Sequence, residues 1–201
     1  RSSIVWRQPS ALLRGGSSND WGSFSSHGEI VATKWFVSLQ ASTWFLWEQE
    51  NKKVIIETGV DLGIGSCVLS SALLMNKREG FEGEYIGTEI NLQAGKLYQN
   101  PYNSVGKIIY GDSIKTLNKI ESKINLFIND SDHSSEYEYN EYLSIKEKLS
   151  KNSFILGDNS HVTDCLSRFS RIYNRNFIFF QEKPKNHWYP GAGIGISFQK
   201  S

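Results

Sequence analysis

Lys53 to Gly65, Lys-Val-Ile-Ile-Glu-Thr-Gly-Val-Asp-Leu-Gly-Ile-Gly, reads as a buried strand that breaks into a glycine-rich turn and then opens a helix. Val54 to Ile56 form the short β-branched run of a strand covered on both faces, and Cys67 to Met75 supply the apolar helix behind the turn. Gly59, Gly63 and Gly65 fall where the backbone must turn tightly and let another group approach. Such a corner suits a cofactor. A tight strand-to-helix connection with no ligand would have the same glycine spacing, so the remaining residues must decide.

Working outward, strand-like runs recur at Lys53 to Glu57, Glu84 to Glu89, Lys107 to Tyr110, Ile124 to Asn129, Ser153 to Leu156 and Asn176 to Phe180, with helical stretches between them. This alternation predicts βαβ units and an α/β fold: a Rossmann-like, doubly wound sheet with helices on both faces. A helix is predicted after residue 160 from Val162, Cys165, Leu166, Phe169, Ile172 and Tyr173, and another over Glu136 to Leu149. The final strand, Ala192 to Phe198, follows a loop too short for a crossover helix and is expected to run antiparallel, giving seven strands of which six are parallel. Before the corner, residues 1–50 read as an N-terminal arm. It carries Trp6 and Trp21, and a helix is expected from near residue 27 after the capping-box spacing Ser26 to Glu29.

At 201 residues and 22.8 kDa the chain is expected to form one domain, residues 1–201, with the cofactor-binding core over 51–201. Lys and Arg number 22 against 21 Asp and Glu, so no global field draws the chain to nucleic acid or an anionic membrane. A small-molecule partner is expected instead, and a homodimer is left open. Cys67 and Cys165 sit in apolar helical patterns and read as reduced core residues, which points to the cytoplasm. No apolar run approaches the roughly 20 residues of a membrane helix. The chain does not begin with Met, which leaves room for native residues upstream.

Ligands of doubly wound sheets bind beyond the carboxyl ends of the strands. Here those ends are polar in succession: Glu57 with the glycine turn, Gly87-Thr-Glu-Ile-Asn91, Gly111-Asp-Ser113, Asn129-Asp-Ser-Asp-His133 and Gly157-Asp-Asn159. Glu89 is well placed to accept hydrogen bonds from both hydroxyls of a ribose. Singly, Asp112, Ser113, Asn159 or Ser160 could cap the following helix. Capping explains each residue, whereas a shared ligand explains the set. The dinucleotide fingerprint Gly-x-Gly-x-x-Gly fails at Val68, which disfavours a nicotinamide-dependent oxidoreductase.

The pattern Glu-x-Gly-x-x-x-Gly-x-Gly from Glu57 to Gly65, with Glu89, resembles the S-adenosylmethionine site of class I methyltransferases, and the resemblance covers residues 53–198. It implies that Gly59, Gly63 and Gly65 lie against the methionine moiety, that Glu89 holds the ribose, and that Asp112 with Ser113 lies near the adenine. Glu57, Asp61 and Ser66 complete the expected cofactor-binding set. Phe127-Ile-Asn-Asp-Ser-Asp-His-Ser134 and Phe154-Ile-Leu-Gly-Asp-Asn159 further resemble the metal-dependent small-molecule O-methyltransferases of the catechol and caffeoyl-coenzyme A type. They also resemble relatives in antibiotic tailoring, including the cephalosporin hydroxylase group.

That resemblance implies one divalent cation, Mg²⁺, on Asp130, Asp158 and Asn159, with Asp130 and His133 as catalytic residues. Hard oxygen donors of this kind suit Mg²⁺. Where those enzymes often carry a Lys three residues after the first metal Asp, this chain has His133, whose imidazole can take a hydroxyl proton near neutral pH or can be structural. Asp132 reads as a spare ligand or a helix cap. Trp188, Tyr189, Trp21, Phe24 and His27 could wall an acceptor pocket or simply pack. Methylation of nitrogen or of a protein side chain, and a non-catalytic nucleotide-binding module, are the alternatives.

Overall fold

The computed structural model describes residues 53–158, 160–181 and 191–199. The expected N-terminal arm, Asn159, Trp188 and Tyr189 lie outside the described residues. Strands β1 (Lys53–Thr58), β2 (Gly83–Glu89), β3 (Gly106–Tyr110), β4 (Ile124–Asn129), β5 (Leu149–Gly157), β6 (Arg175–Gln181) and β7 (Gly193–Gln199) form one sheet in the order β3-β2-β1-β4-β5-β7-β6. β7 pairs antiparallel with both β5 and β6, and the other pairings are parallel. This is the expected doubly wound sheet, six strands one way and one the other. Its direction of winding reverses between β1 and β4, so the switch point where such sheets bind ligands falls at Gly59 and Asp130.

All six residues of β1 are buried, as a central strand with helices on both faces requires. One face packs Ile55, Tyr85, Leu126, Ile128 and Leu156 against Leu69 and Leu73 of helix α1 (Ile64–Arg78). The other packs Val54, Ile56, Phe127 and Ile155 against three helices, α2 (Ser113–Lys119), α3 (Ser135–Ile145) and α4 (Cys165–Ile172).

The helix ends follow from the local sequence. Asp112 caps α2 by accepting from Lys115 N at 3.0 Å, and Ser134 caps α3. Helix α1 ends in a Schellman turn, with Gly80 at φ +90 donating to Lys77 O and Phe81 N donating to Asn76 O.

Three expectations at this level need correction. The helix expected from Val162 begins only at Cys165, because residues 160–164 form turns in which Thr163 Oγ1 donates to Glu138 Oε2 at 2.6 Å. Val162, outside the helix, is 66% exposed; Ile172, its last residue, is 58% exposed, and the buried stripe is Cys165, Leu166 and Phe169. The cap of that helix is Asp164, not Asn159 or Ser160. Helix α3 stops at Ile145, and β5 starts early, at Leu149, because Leu149 pairs with Ile124 across a register shift and carries the ladder over the exposed Lys151 and Asn152.

Candidate active site

Gly59 leaves β1 at φ +80, a backbone region that residues with a Cβ rarely enter, and a Cβ there would overlap the backbone carbonyl of Asp130. The first loop is thus seated directly against the tip of β4. Its turn closes with Gly63 N donating to Val60 O at 2.9 Å, and Gly63 at φ +92 serves as N-cap of α1 with no side-chain cap. Asp61, also left-handed at φ 47, accepts from Gly95 N through its carbonyl. α1 has no acidic residue in its own first turn, and the carboxylate that lies against that turn is Glu57 of β1.

Glu89, at the tip of β2, reaches across to this loop. Its Oε2 accepts from Val60 N at 3.0 Å and Asp61 N at 3.1 Å, and its Oε1 from Asn91 N at 2.9 Å. The carboxylate therefore fixes the loop's conformation while remaining half-buried at the strand tips. Next to it, Thr88 Oγ1 is buried and has no hydrogen-bond partner among the described residues.

Glu57 and Ser66 are buried, and their side chains turn inward. Glu57 Oε2 accepts from Ser66 Oγ at 2.9 Å and from Tyr85 OH at 2.5 Å. Burial and the nearby Glu57 carboxylate push the Tyr85 phenol well above its usual range, so it stays a donor. A Cβ on Gly65 would overlap Glu57 Oε1. These three expected cofactor residues form the footing under the turn.

At the third tip the cap and the ligand readings meet. Asp112 caps α2, while Ser113 is buried and bonds Glu141 and Tyr137 OH. At the fourth and fifth tips, Asp158 N donates to Asn129 O at 3.1 Å and Asp130 N to Thr58 O at 3.0 Å, which places the two half-buried Asp residues on adjoining loops. Asp132 Oδ1 accepts from Ser134 N at 2.7 Å, and hydrogen bonds from the Ser134 side chain and then its backbone lower the carboxyl below its usual value; Asp132 serves the start of α3. His133 is exposed beside it. Among the described residues, no group of three or more His, Cys, Asp or Glu side chains is arranged to hold a metal ion.

Two carboxylates escaped the sequence reading. Glu138 and Glu141 on α3 are fully buried. The signal was present: Glu138, Glu141, Tyr142 and Ile145 stand at i, i+3, i+4 and i+7, so two acids occupy the stripe that faces the sheet.

The described geometry is that of a glycine-turn corner beside a carboxylate at the switch point of a seven-stranded sheet. A family model described as "Methyltransferase domain" matches residues 56–160, just over half of the chain. The chain belongs to this methyltransferase family. The methyltransferase has the class I, S-adenosylmethionine-dependent fold and is similar to several solved structures. These include the O-methyltransferase TomG from Streptomyces achromogenes, involved in tomaymycin synthesis and solved with SAM, at 12% identity and TM-score 0.58 over 89% of this chain and 82% of that one. PaMTH1 from Podospora anserina, solved with SAH, gives 15% identity and TM-score 0.55 over 86% and 88%. An rRNA methylase from Streptococcus thermophilus gives 8% and 0.55 over 81% and 95%. At these identities the likeness fixes the fold of the methyltransferase and leaves its acceptor open. No curated protein matches the chain. Among the described residues no helix is long and apolar enough to cross a membrane.

Proposed function

We propose that this protein transfers the methyl group of S-adenosylmethionine to a hydroxyl of a small molecule, assisted by a divalent cation. The observation that carries the donor half is the loop from Gly59 to Gly63, held by the Glu89 carboxylate next to the buried Thr88 hydroxyl, which has no partner among the described residues. S-adenosylmethionine would supply an electrophilic methyl on a sulfonium: the acceptor oxygen bonds to that carbon, the carbon–sulfur bond breaks, and S-adenosylhomocysteine (SAH) leaves. Glu89 accepts from the ribose hydroxyls with the lone-pair capacity that its three backbone bonds leave. The uncapped start of α1 receives the methionine carboxylate. SAM- and SAH-bound structures of similar fold support this half. His133 takes the proton that the acceptor hydroxyl loses, and Asp130 stands three residues before it.

Calorimetry tests the donor half. The protein is expected to bind SAH, and Glu89→Ala to weaken that binding about 100-fold or more, since it removes the diol acceptor and frees two loop amides. Absence of SAH binding to the folded wild-type protein overturns the reading.

The acceptor half rests on chemistry of the donor set. Asp130 and Asp158 offer hard oxygens on adjoining loops, and Asn159 would complete the ligands. A cation held there would lower the pKa of the acceptor hydroxyl. Methyl transfer is then expected to fall about 100-fold on addition of chelator or in Asp158→Ala, with recovery on adding Mg²⁺ to the wild type only. Full turnover in excess chelator eliminates the cation. A small acceptor is favoured over RNA by the net charge of +1, which supplies no field for a polyanion.

A further inference from the structure

Of the residues expected to meet donor, cation or acceptor Glu141 touches only Ser113, yet it is bonded to the chain neighbours of Gly59, Asp112 and Asp130. It is completely buried on the inner face of α3. Its Oε1 accepts from Ser131 Oγ at 2.8 Å and from Ser113 Oγ. Its Oε2 accepts from Thr58 Oγ1 at 3.2 Å and from the Asn129 side-chain amide. Four donors thus occupy both oxygens of one carboxylate. Thr58 immediately precedes Gly59, Ser113 immediately follows Asp112, and Asn129 and Ser131 flank Asp130. The network extends one step further, through Tyr137 OH, which bonds Ser113 Oγ at 2.9 Å and reaches Asp112 Oδ1 at 3.5 Å.

Physical cost makes this arrangement informative. Burying a carboxylate is expensive, and a helix of this kind packs more cheaply with an apolar residue at such a position. Glu138, one turn earlier, is equally buried, but its bonds go to Tyr142 OH at 2.8 Å and Thr163 Oγ1 at 2.6 Å, tying α3 to the turn before α4. The two acids therefore do separate jobs on one helix. Thr88, Thr58 and Asn129 stand side by side in register across β2, β1 and β4. The Glu141 carboxylate lies over two of the three, next to the switch point of the sheet.

We infer that Glu141 is a positioning residue: it locks the ends of β1 and β4 and the start of α2 to one another, and so sets the spacing between the donor half and the acceptor half of the site. This rests on the methyltransferase reading for its consequence and on the hydrogen bonds alone for its geometry. The residue acts through the loops and does not touch the reacting atoms.

The experiment compares Glu141→Gln with Glu138→Gln, by hydrogen exchange of the unliganded proteins and by SAH calorimetry. Glutamine keeps the volume but presents an N–H₂ where two donors expect an acceptor. Amides of residues 59–63 and 129–133 are expected to exchange about tenfold faster in Glu141→Gln, and its SAH dissociation constant to rise about tenfold, as the loss of one buried acceptor implies. Glu138→Gln should lower the melting temperature while leaving both readouts within about threefold of wild type. Unchanged loop exchange in Glu141→Gln, or equal effects in the two variants, overturns the inference. Should Glu141→Gln fail to fold, Ser131→Ala removes one of the four donors and must still speed exchange of both loops, or the inference falls. A wild-type protein that binds no SAH refutes the donor reading, and the exchange comparison still decides the role of Glu141.

Discussion

Gly59→Ala is expected to lower the unfolding free energy by about 2–5 kcal/mol, with loss of measurable SAH binding in whatever fraction remains folded. Two terms add. A left-handed backbone costs an alanine about 1–2 kcal/mol, and at φ +80 this position cannot relax without moving the end of β1. The new Cβ also meets the carbonyl carbon and oxygen of Asp130, which are backbone atoms at the tip of a paired strand, and overpacking of this kind costs about 1–3 kcal/mol more. Gly80 supplies the control. It too has a positive φ, +90, but a Cβ there meets nothing within 4 Å, so Gly80→Ala should carry only the backbone term of about 1–2 kcal/mol and leave SAH affinity intact. Urea denaturation of the three proteins checks this. Equal losses at the two glycines would mean that contact between Gly59 and the β4 tip contributes nothing.

The second large effect lies at the opposite end of the sheet. Arg175→Ala should cost about 3 kcal/mol or more without changing SAH affinity. Arg175 is only 5% exposed, and its guanidinium donates to Ser197 Oγ at 2.9 Å, Ser153 Oγ at 3.2 Å, Gln199 Oε1 at 3.4 Å, Ser153 O at 2.7 Å and Ser197 O at 3.3 Å. These acceptors are all uncharged. Burial lowers the guanidinium pKa to about 10, so it is still a cation at neutral pH. Its five donors clamp β5, β6 and β7 where the antiparallel strand enters the sheet. Alanine removes both the bonds and the volume, whereas Arg175→Met keeps most of the volume and removes the buried charge, so it should cost distinctly less. If methionine costs as much as alanine, the hydrogen bonds carry the effect. If alanine costs under about 1 kcal/mol, the clamp is not stabilising.

The fold was legible because β-branched runs and polar tips recur at a spacing that leaves room for crossover helices, and most strand ends fall within a residue of where the pattern puts them. β5 was read short because Lys151 and Asn152 break its apolar run, although backbone pairing continues past them. The helix after residue 160 reads too long because Val162 fits a helical period that the chain realises only from Cys165. Periodicity registers apolar side chains and is blind to Thr163, whose bond to Glu138 holds the preceding turn.

For the site, glycines and tip carboxylates could be placed, but the direction of a side chain could not. Glu57 and Ser66 look like ligand residues in the string and turn inward because Tyr85, on a neighbouring strand, supplies their partner. The same long-range pairing hid Glu141, whose four donors are spread from Thr58 to Ser131. No local window contains them.

The Glu89 bonds to Val60 N, Asp61 N and Asn91 N bear on how a donor would come and go. An unrestrained glycine loop samples many conformations, and a ligand that needs one of them loses affinity to the ordering. Here two of the loop's amides are anchored before any ligand arrives, so the loop is a preformed mould. Exchange of spent for fresh donor can then proceed without a cycle of melting and refolding.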